Sequence, residues 1–219
     1  MEMPLLYSKE LAVILASYAL GCVCTGYYLV RYRTGQDIRG RGSASVGSRN
    51  VGRMLGAPGL IVTLLGDTAK GALATWAAFA LDLASWGVLL AMVAVVAGHI
   101  WPVQLGFRGG KGLAPVLGAM LVFDYQLVAI LGLVAIIALV LARQLTLAVL
   151  VAVALAPGVA LLTGEPPASA LGIAALALII LFAHRANIRG SLRGPGTGGT
   201  RPPLKRRLSH LWGTVRTRQ

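Results

Sequence analysis

Residues 84–123 read ASWGVLLAMVAVVAGHIWPVQLGFRGGKGLAPVLGAMLVF. One apolar run ends at Gly98-His99, a glycine-rich stretch with Arg108 and Lys111 follows, and a second apolar run begins at Gly112. Neither run alternates as a half-buried strand would, and neither keeps the polar stripe of a surface helix. The reading is two helices surrounded by lipid or by each other, joined by a flexible basic turn. Extended along the chain, this pattern predicts an all-α, polytopic membrane protein.

Composition points the same way. The 219 residues are 57% hydrophobic and 12% charged, with a mean hydropathy of +0.76. A soluble domain of this length has too little interior to hide that much apolar surface. The net charge of +13 would suit nucleic acid, but the basic residues lie between apolar runs and in the tail. That is the distribution of cytoplasmic loops in a membrane protein, so nucleic acid is excluded as a partner. Cys22 and Cys24 fall inside the first apolar run and read as packing residues, with no disulfide framework. Neither a metal nor a cofactor is expected. The opening MEMPLLYSKE has no basic leader region, and residues 11–30 are followed by arginines, so the first run is read as a retained helix.

Apolar runs fall at about 9–31, 56–80, 84–99, 112–123, 126–142, 145–163 and 167–183. This predicts seven membrane segments, with 112–123 a half-helix and Pro157-Gly158 kinking or breaking the sixth. The turns alternate in charge. Loop 31–55 holds six arginines against Asp37, the next turn has Asp82, loop 100–111 has Arg108 and Lys111, and the next has Asp124. Arg143, Glu165 and the basic tail continue the series. The N-terminus is therefore expected outside and the C-terminus in the cytoplasm of a multi-pass plasma-membrane (cell inner membrane) protein. The membrane domain should span 1–189. Residues 190–219 should be a largely disordered basic tail, with 204–215 either an interfacial helix on anionic lipid or part of a floppy tail.

On this topology three polar stretches reach one face: 42–53 (GSASVGSRNVGR), 98–112 and 184–189 (HRANIR). Gly42 and Gly47 free the backbone for close approach to an anion, Ser43 adds a hydroxyl, and Arg53 can grip with two donors. The same stretch also fits a Gly/Ser connector with cytoplasmic arginines. In the second, Gly109, Gly110 and Lys111 follow the physical logic of a phosphate loop, although Leu113 stands where a nucleotide-binding loop needs Ser or Thr. His99 reads as a base or as a helix-end cap. His184 and Asn187, three apart, can hold a hydroxyl and a phosphate oxygen, or His184 can merely favour a helix C-terminus. Asp67 and Lys70, three apart within an apolar run, mark either a site or a buried structural pair.

Taken together, GHxxP…F-[KR]-GGKG at 98–112, H-R-x-N-I at 184–188 and D-x-x-K-G at 67–71 resemble the bacterial membrane-embedded glycerol-3-phosphate acyltransferases that use acyl phosphate. The resemblance covers about residues 10–190. It implies seven helices with the N-terminus out, and acyl transfer from acyl phosphate to the 1-hydroxyl of glycerol 3-phosphate, giving lysophosphatidate and phosphate. It implies that Ser43, Arg53, Lys111, His184 and Asn187 hold glycerol 3-phosphate, with His184, Lys111 and Ser43 the catalytic candidates. Gly42, Gly47, Arg49, Asn50, His99, Gly109 and Gly110 join the substrate-binding set. A monomer in contact with membrane lipid is expected. Ala44, Ser45, Val46, Ser48 and Arg49 stand where the family pattern has Gly, Asn, Pro, Ala and Thr, which leads to the expectation that Arg49 supplies charge to the donor phosphate. A small-anion transporter and a non-catalytic or altered-substrate relative are the rival readings.

Overall fold

The computed structural model describes residues 3–192, among which there is no strand. The helices are α1 (Met3–Cys22), α2 (Thr25–Thr34), α3 (Ser48–Ala80), α4 (Ser85–Ile100), α5 (Leu113–Phe123), α6 (Tyr125–Ala142), α7 (Leu145–Leu162), α8 (Pro167–Ala183) and α9 (Arg185–Leu192). The described residues fall into two units that divide between Arg185 and Ala186. The expected 204–215 segment lies outside the described residues.

Among the described residues, four stretches are each long and apolar enough to cross a membrane: Ser8–Thr34, Ser85–Leu105, Tyr125–Ala142 and Leu145–Leu162. Leu113–Phe123 is apolar but short, as a half-helix should be. Two sequence expectations need correction. The first span is interrupted at Val23-Cys24, which separates α1 from α2. The second apolar run begins near 56 as expected, because the non-helical backbone of Gly56 (φ 71°, ψ −167°), just before Pro58, kinks α3 and separates the polar turns at its start from the apolar helix. Pro157 does not break α7, which runs on to Leu162. A membrane helix keeps its other backbone bonds in lipid and tolerates one missing donor.

Small residues set the helix packing. A Cβ at Gly71 would lie 2.0 Å from the Pro115 carbonyl oxygen, and one at Gly118 1.9 Å from that of Thr68. The backbones of α3 and α5 thus cross in contact. Gly21 and Gly98 do the same for α1 and α4, each Cβ position falling 2.2 Å from a carbonyl of the other helix. Close approach of this kind is how helices associate where lipid removes any hydrophobic drive between them. By contrast α6 keeps Leu133, Ile136, Ile137 and Val140 exposed, a surface suited to acyl chains.

Tertiary contacts gather the N-terminal ends of α3, α5 and α7 with the C-terminal ends of α2, α4 and α8. Arg49 at the start of α3 donates to Thr146 Oγ1 at the start of α7 (2.7 Å). Arg39, after α2, donates to the Leu105 carbonyl, after α4. The opposite end is tied separately, Lys9 of α1 donating to the Leu81 carbonyl (2.7 Å).

Candidate active site

The first loop is organised around one amide. Asn50 is buried; its Oδ1 accepts from the Ser43 N–H (3.1 Å), and its Nδ2 donates to the Arg41 and Ser45 carbonyls (3.0 and 2.9 Å). Gly42 takes a left-handed turn (φ 56°), and a Cβ there would lie 2.2 Å from Asn50 Oδ1, so only glycine fits. The Gly47 N–H is taken by Ser45 Oγ (3.3 Å), and its carbonyl caps α3. Asn50 therefore shapes the loop that carries Ser43 and Ser45. It leaves Ser43, Arg49 and Arg53 exposed, with the two arginines one turn apart on α3.

The second loop is fastened to the first and to α1. Arg39 stacks over Tyr27, pairs with both oxygens of Asp37 (2.7 to 3.1 Å) and reaches the Leu105 carbonyl. The guanidinium hydrogen bonds hold the Asp37 carboxyl below its usual range. Leu105 joins Val30, Ile38, Val46 and Val51 in one buried cluster. The Gly109 N–H donates to the Ile100 carbonyl (3.1 Å) and the Gly110 N–H to the His99 carbonyl (2.9 Å). These two amides are engaged within the protein, and Cβ atoms at the two positions would lie 2.1 Å from the His99 carbonyl oxygen and 2.0 Å from His99 Nε2, so the glycines allow close packing. Lys111 then leads through Gly112 into α5.

Gly112 ties the second loop to the third polar stretch. A Cβ there would lie 2.6 Å from Ile180 Cδ1. The Ile180 carbonyl in turn accepts from His184 Nδ1 (2.9 Å). A carbonyl can only accept, so Nδ1 carries the proton and Nε2 keeps its lone pair. His184 is 3% exposed; burial, opposed by the Ile180 hydrogen bond and aided by the Lys111 charge, lowers its pKa. Burial and then the Arg49 charge lower that of Lys111. Lys111 is thus within electrostatic reach of both Arg49 and His184. The helices α3, α5 and α7, which begin at this end, have no acidic residue in their first turns. Their positive ends and these cations form a field suited to anions. Asn187 belongs to the second unit, in α9.

An apolar cavity of about 290 Å³ adjoins this end, lined by Leu113 and Leu117 of α5, Leu131 of α6, Val153 of α7 and Leu176 and Ile180 of α8. Leu113 is two residues from Lys111, and Ile180 is the residue that holds His184. Nothing in the sequence marked this cavity, because its lining comes from five separate helices, Leu64 of α3 included, with no distinguishing motif.

Asp67 and Lys70 form a buried ion pair (3.0 Å), and His99, 2% exposed, lies against it with Nδ1 2.9 Å from Lys70 Nζ. His99 is thus a buried group behind the second loop, not one open to substrate.

The sequence profile of the Glycerol-3-phosphate acyltransferase family matches residues 11–194. The chain belongs to that family. It is 46% identical over 183 residues to Glycerol-3-phosphate acyltransferase 1 of Desulfitobacterium hafniense (strain Y51), covering 84% of this chain and 91% of that one. It also resembles two crystal structures of PlsY (YgiH), an integral membrane glycerol 3-phosphate acyltransferase, each at 27% identity. The glycerol 3-phosphate form matches with a TM-score of 0.79, covering 93% of this chain and 99% of that one. The lysophosphatidic acid form gives 0.77, covering 85% and 93%.

Proposed function

We propose that this protein transfers an acyl group from acyl phosphate to the 1-hydroxyl of glycerol 3-phosphate, giving lysophosphatidate and inorganic phosphate. Family membership supports the acceptor and the reaction. The observation that carries the reading is the junction of two environments: Arg49, Lys111 and His184 at one helix end, with an apolar cavity beginning at Leu113 and Ile180. A substrate with an anionic head on a reactive carbonyl and a long apolar tail fits that junction.

Acyl phosphate is a mixed anhydride, so no serine or cysteine nucleophile is needed. The acceptor hydroxyl attacks the acyl carbon, and a new C–O bond forms as the bond to the phosphate oxygen breaks. His184 Nε2 is placed as the lone pair that takes the hydroxyl proton, which passes on to the departing phosphate. Lys111, with Arg49 and Arg53, screens the repulsion between two anions that must meet. Ser43 and Asn187 are assigned to glycerol 3-phosphate and Arg49 to the donor phosphate. The basic turns at this end and the acidic residues Asp82, Asp124 and Glu165 in the other turns support a site facing the cytoplasm of the plasma membrane.

The test is direct. Purified protein given palmitoyl phosphate and glycerol 3-phosphate should release phosphate and form lysophosphatidate in equal amounts. No product with acyl phosphate, palmitoyl-CoA or acylated carrier protein would overturn the reading.

A further inference from the structure

The buried ionic cluster is larger than a structural pair requires. Lys70 Nζ lies 3.0 Å from Asp67 Oδ1, 2.9 and 2.8 Å from the Gly21 and Val23 carbonyls, and 2.9 Å from His99 Nδ1. Gln104 Nε2 donates to the Cys22 carbonyl (2.6 Å), and Asp67 Oδ1 accepts from the Thr25 N–H (3.3 Å). The end of α1 and the start of α2 are thereby satisfied, as a helix break in lipid demands. His99 is not needed for that task.

Its ring extends the cluster toward the second loop. An ammonium has no lone pair, so His99 Nδ1 must accept from Lys70, and the ring proton sits on Nε2. That nitrogen faces Gly110, where a Cβ would lie only 2.0 Å away. The His99 carbonyl holds the Gly110 N–H (2.9 Å), and a Cβ at Gly109 would lie 2.1 Å from the same carbonyl. The His99 ring thus packs against Gly110 and its backbone carbonyl against Gly109 and Gly110, the two residues that immediately precede Lys111.

We propose that Asp67, Lys70 and His99 form a positioning device for Lys111: the ion pair orients the imidazole, and the imidazole sets the course of the 109–111 backbone. The inference rests on the acyltransfer reading. It makes His99 a positioning residue whose effect on turnover runs through Lys111.

A double-mutant cycle tests this with His99→Asn, whose amide oxygen can still accept from Lys70, and Lys111→Ala. In otherwise unaltered protein His99→Asn should lower kcat/KM for glycerol 3-phosphate by about tenfold or more, with little change in Tm; in the Lys111→Ala background the same change should cost less than about twofold. Equal losses in the two backgrounds would overturn the proposal. Lys70→Arg, which keeps the charge but moves the donors, should show the same non-additivity with Lys111→Ala. If neither variant gives a cooperative melt, the cluster is purely structural and the proposal fails. Absence of turnover in unaltered protein would instead sink the acyltransfer reading.

Discussion

Lys70 and Lys111 are the same residue type in one small membrane protein, and they sit in opposite surroundings. Lys70 is buried in α3 with a carboxylate 3.0 Å away and backbone carbonyls on its other sides. Lys111 is half-buried just before a helix start, where the like charge of Arg49 acts on it. The first arrangement cancels charge inside the protein; the second accumulates it where an anion could arrive. The lesson is that charge in a membrane protein is read by its neighbours, not by its identity.

Neutralising each lysine should separate the two roles. Lys70→Met leaves Asp67 buried without its cation, which costs about 3–5 kcal/mol and should abolish the cooperative melt or lower Tm steeply. Lys111→Met should leave Tm nearly unchanged while kcat/KM falls on the order of 10²–10³-fold. A Lys70→Met protein that melts normally, or a Lys111→Met protein that turns over normally, would break the comparison.

His184→Ala should cost on the order of 10²-fold in kcat, since a positioned base contributes about that much. The pH profile sharpens the assignment. The His184 pKa is lowered in the free protein, so its base form survives to lower pH than an ordinary imidazole and the acid limb of kcat/KM should lie below the usual imidazole value. Lys111 contributes to that lowering, so residual activity of Lys111→Met should show an acid limb moved to higher pH. The substrate's own ionisation is the same for both proteins, so an unmoved limb would remove His184 as the titrating base.

What could be read from sequence follows the range of the forces involved. The convergence of 42–53, 98–112 and 184 on one end followed from apolar segments alternating with basic and acidic turns, which is a local pattern. The break at Val23-Cys24 could not be foreseen, because it is held open by Lys70 and Gln104 from 47 and 82 positions away. The same holds for Asn50 and His99: their residue types suggested ligand contact, but Asn50 is met by loop backbone groups and His99 by the Lys70 side chain, neighbours that only the fold brings near. The glycines at 109 and 110 were legible as points of close approach, but close approach to a ligand and close approach to a histidine look alike in one sequence, and the one at His99 is visible only in the fold.

The cavity extends the comparison from charge to volume. Ala156 of α7 lines it and is 6% exposed. Ala156→Leu should lower kcat/KM for palmitoyl phosphate relative to octanoyl phosphate by about tenfold, because overfilling a packed space costs about 1–3 kcal/mol. The KM for glycerol 3-phosphate should stay the same. An equal loss with both donors would remove the acyl chain from this cavity.

The smallest expected effect concerns Arg49, which stands between the two regimes. It is exposed, it adds to the field on Lys111, and yet it already donates to Thr146 across the start of α7. A hydroxyl does not neutralise a guanidinium, so this hydrogen bond holds the arm over the site without consuming its charge. The remaining donors can still take a phosphate oxygen. Arg49→Ala should raise the KM for acyl phosphate about tenfold, since a hydrogen bond to a charged group is worth on the order of 1.5 kcal/mol. Thr146→Val removes the hold but not the charge and should raise it less. If both substitutions leave donor KM unchanged, the contact between α3 and α7 is a fold contact like Lys70's, and Arg49 moves to that side of the comparison.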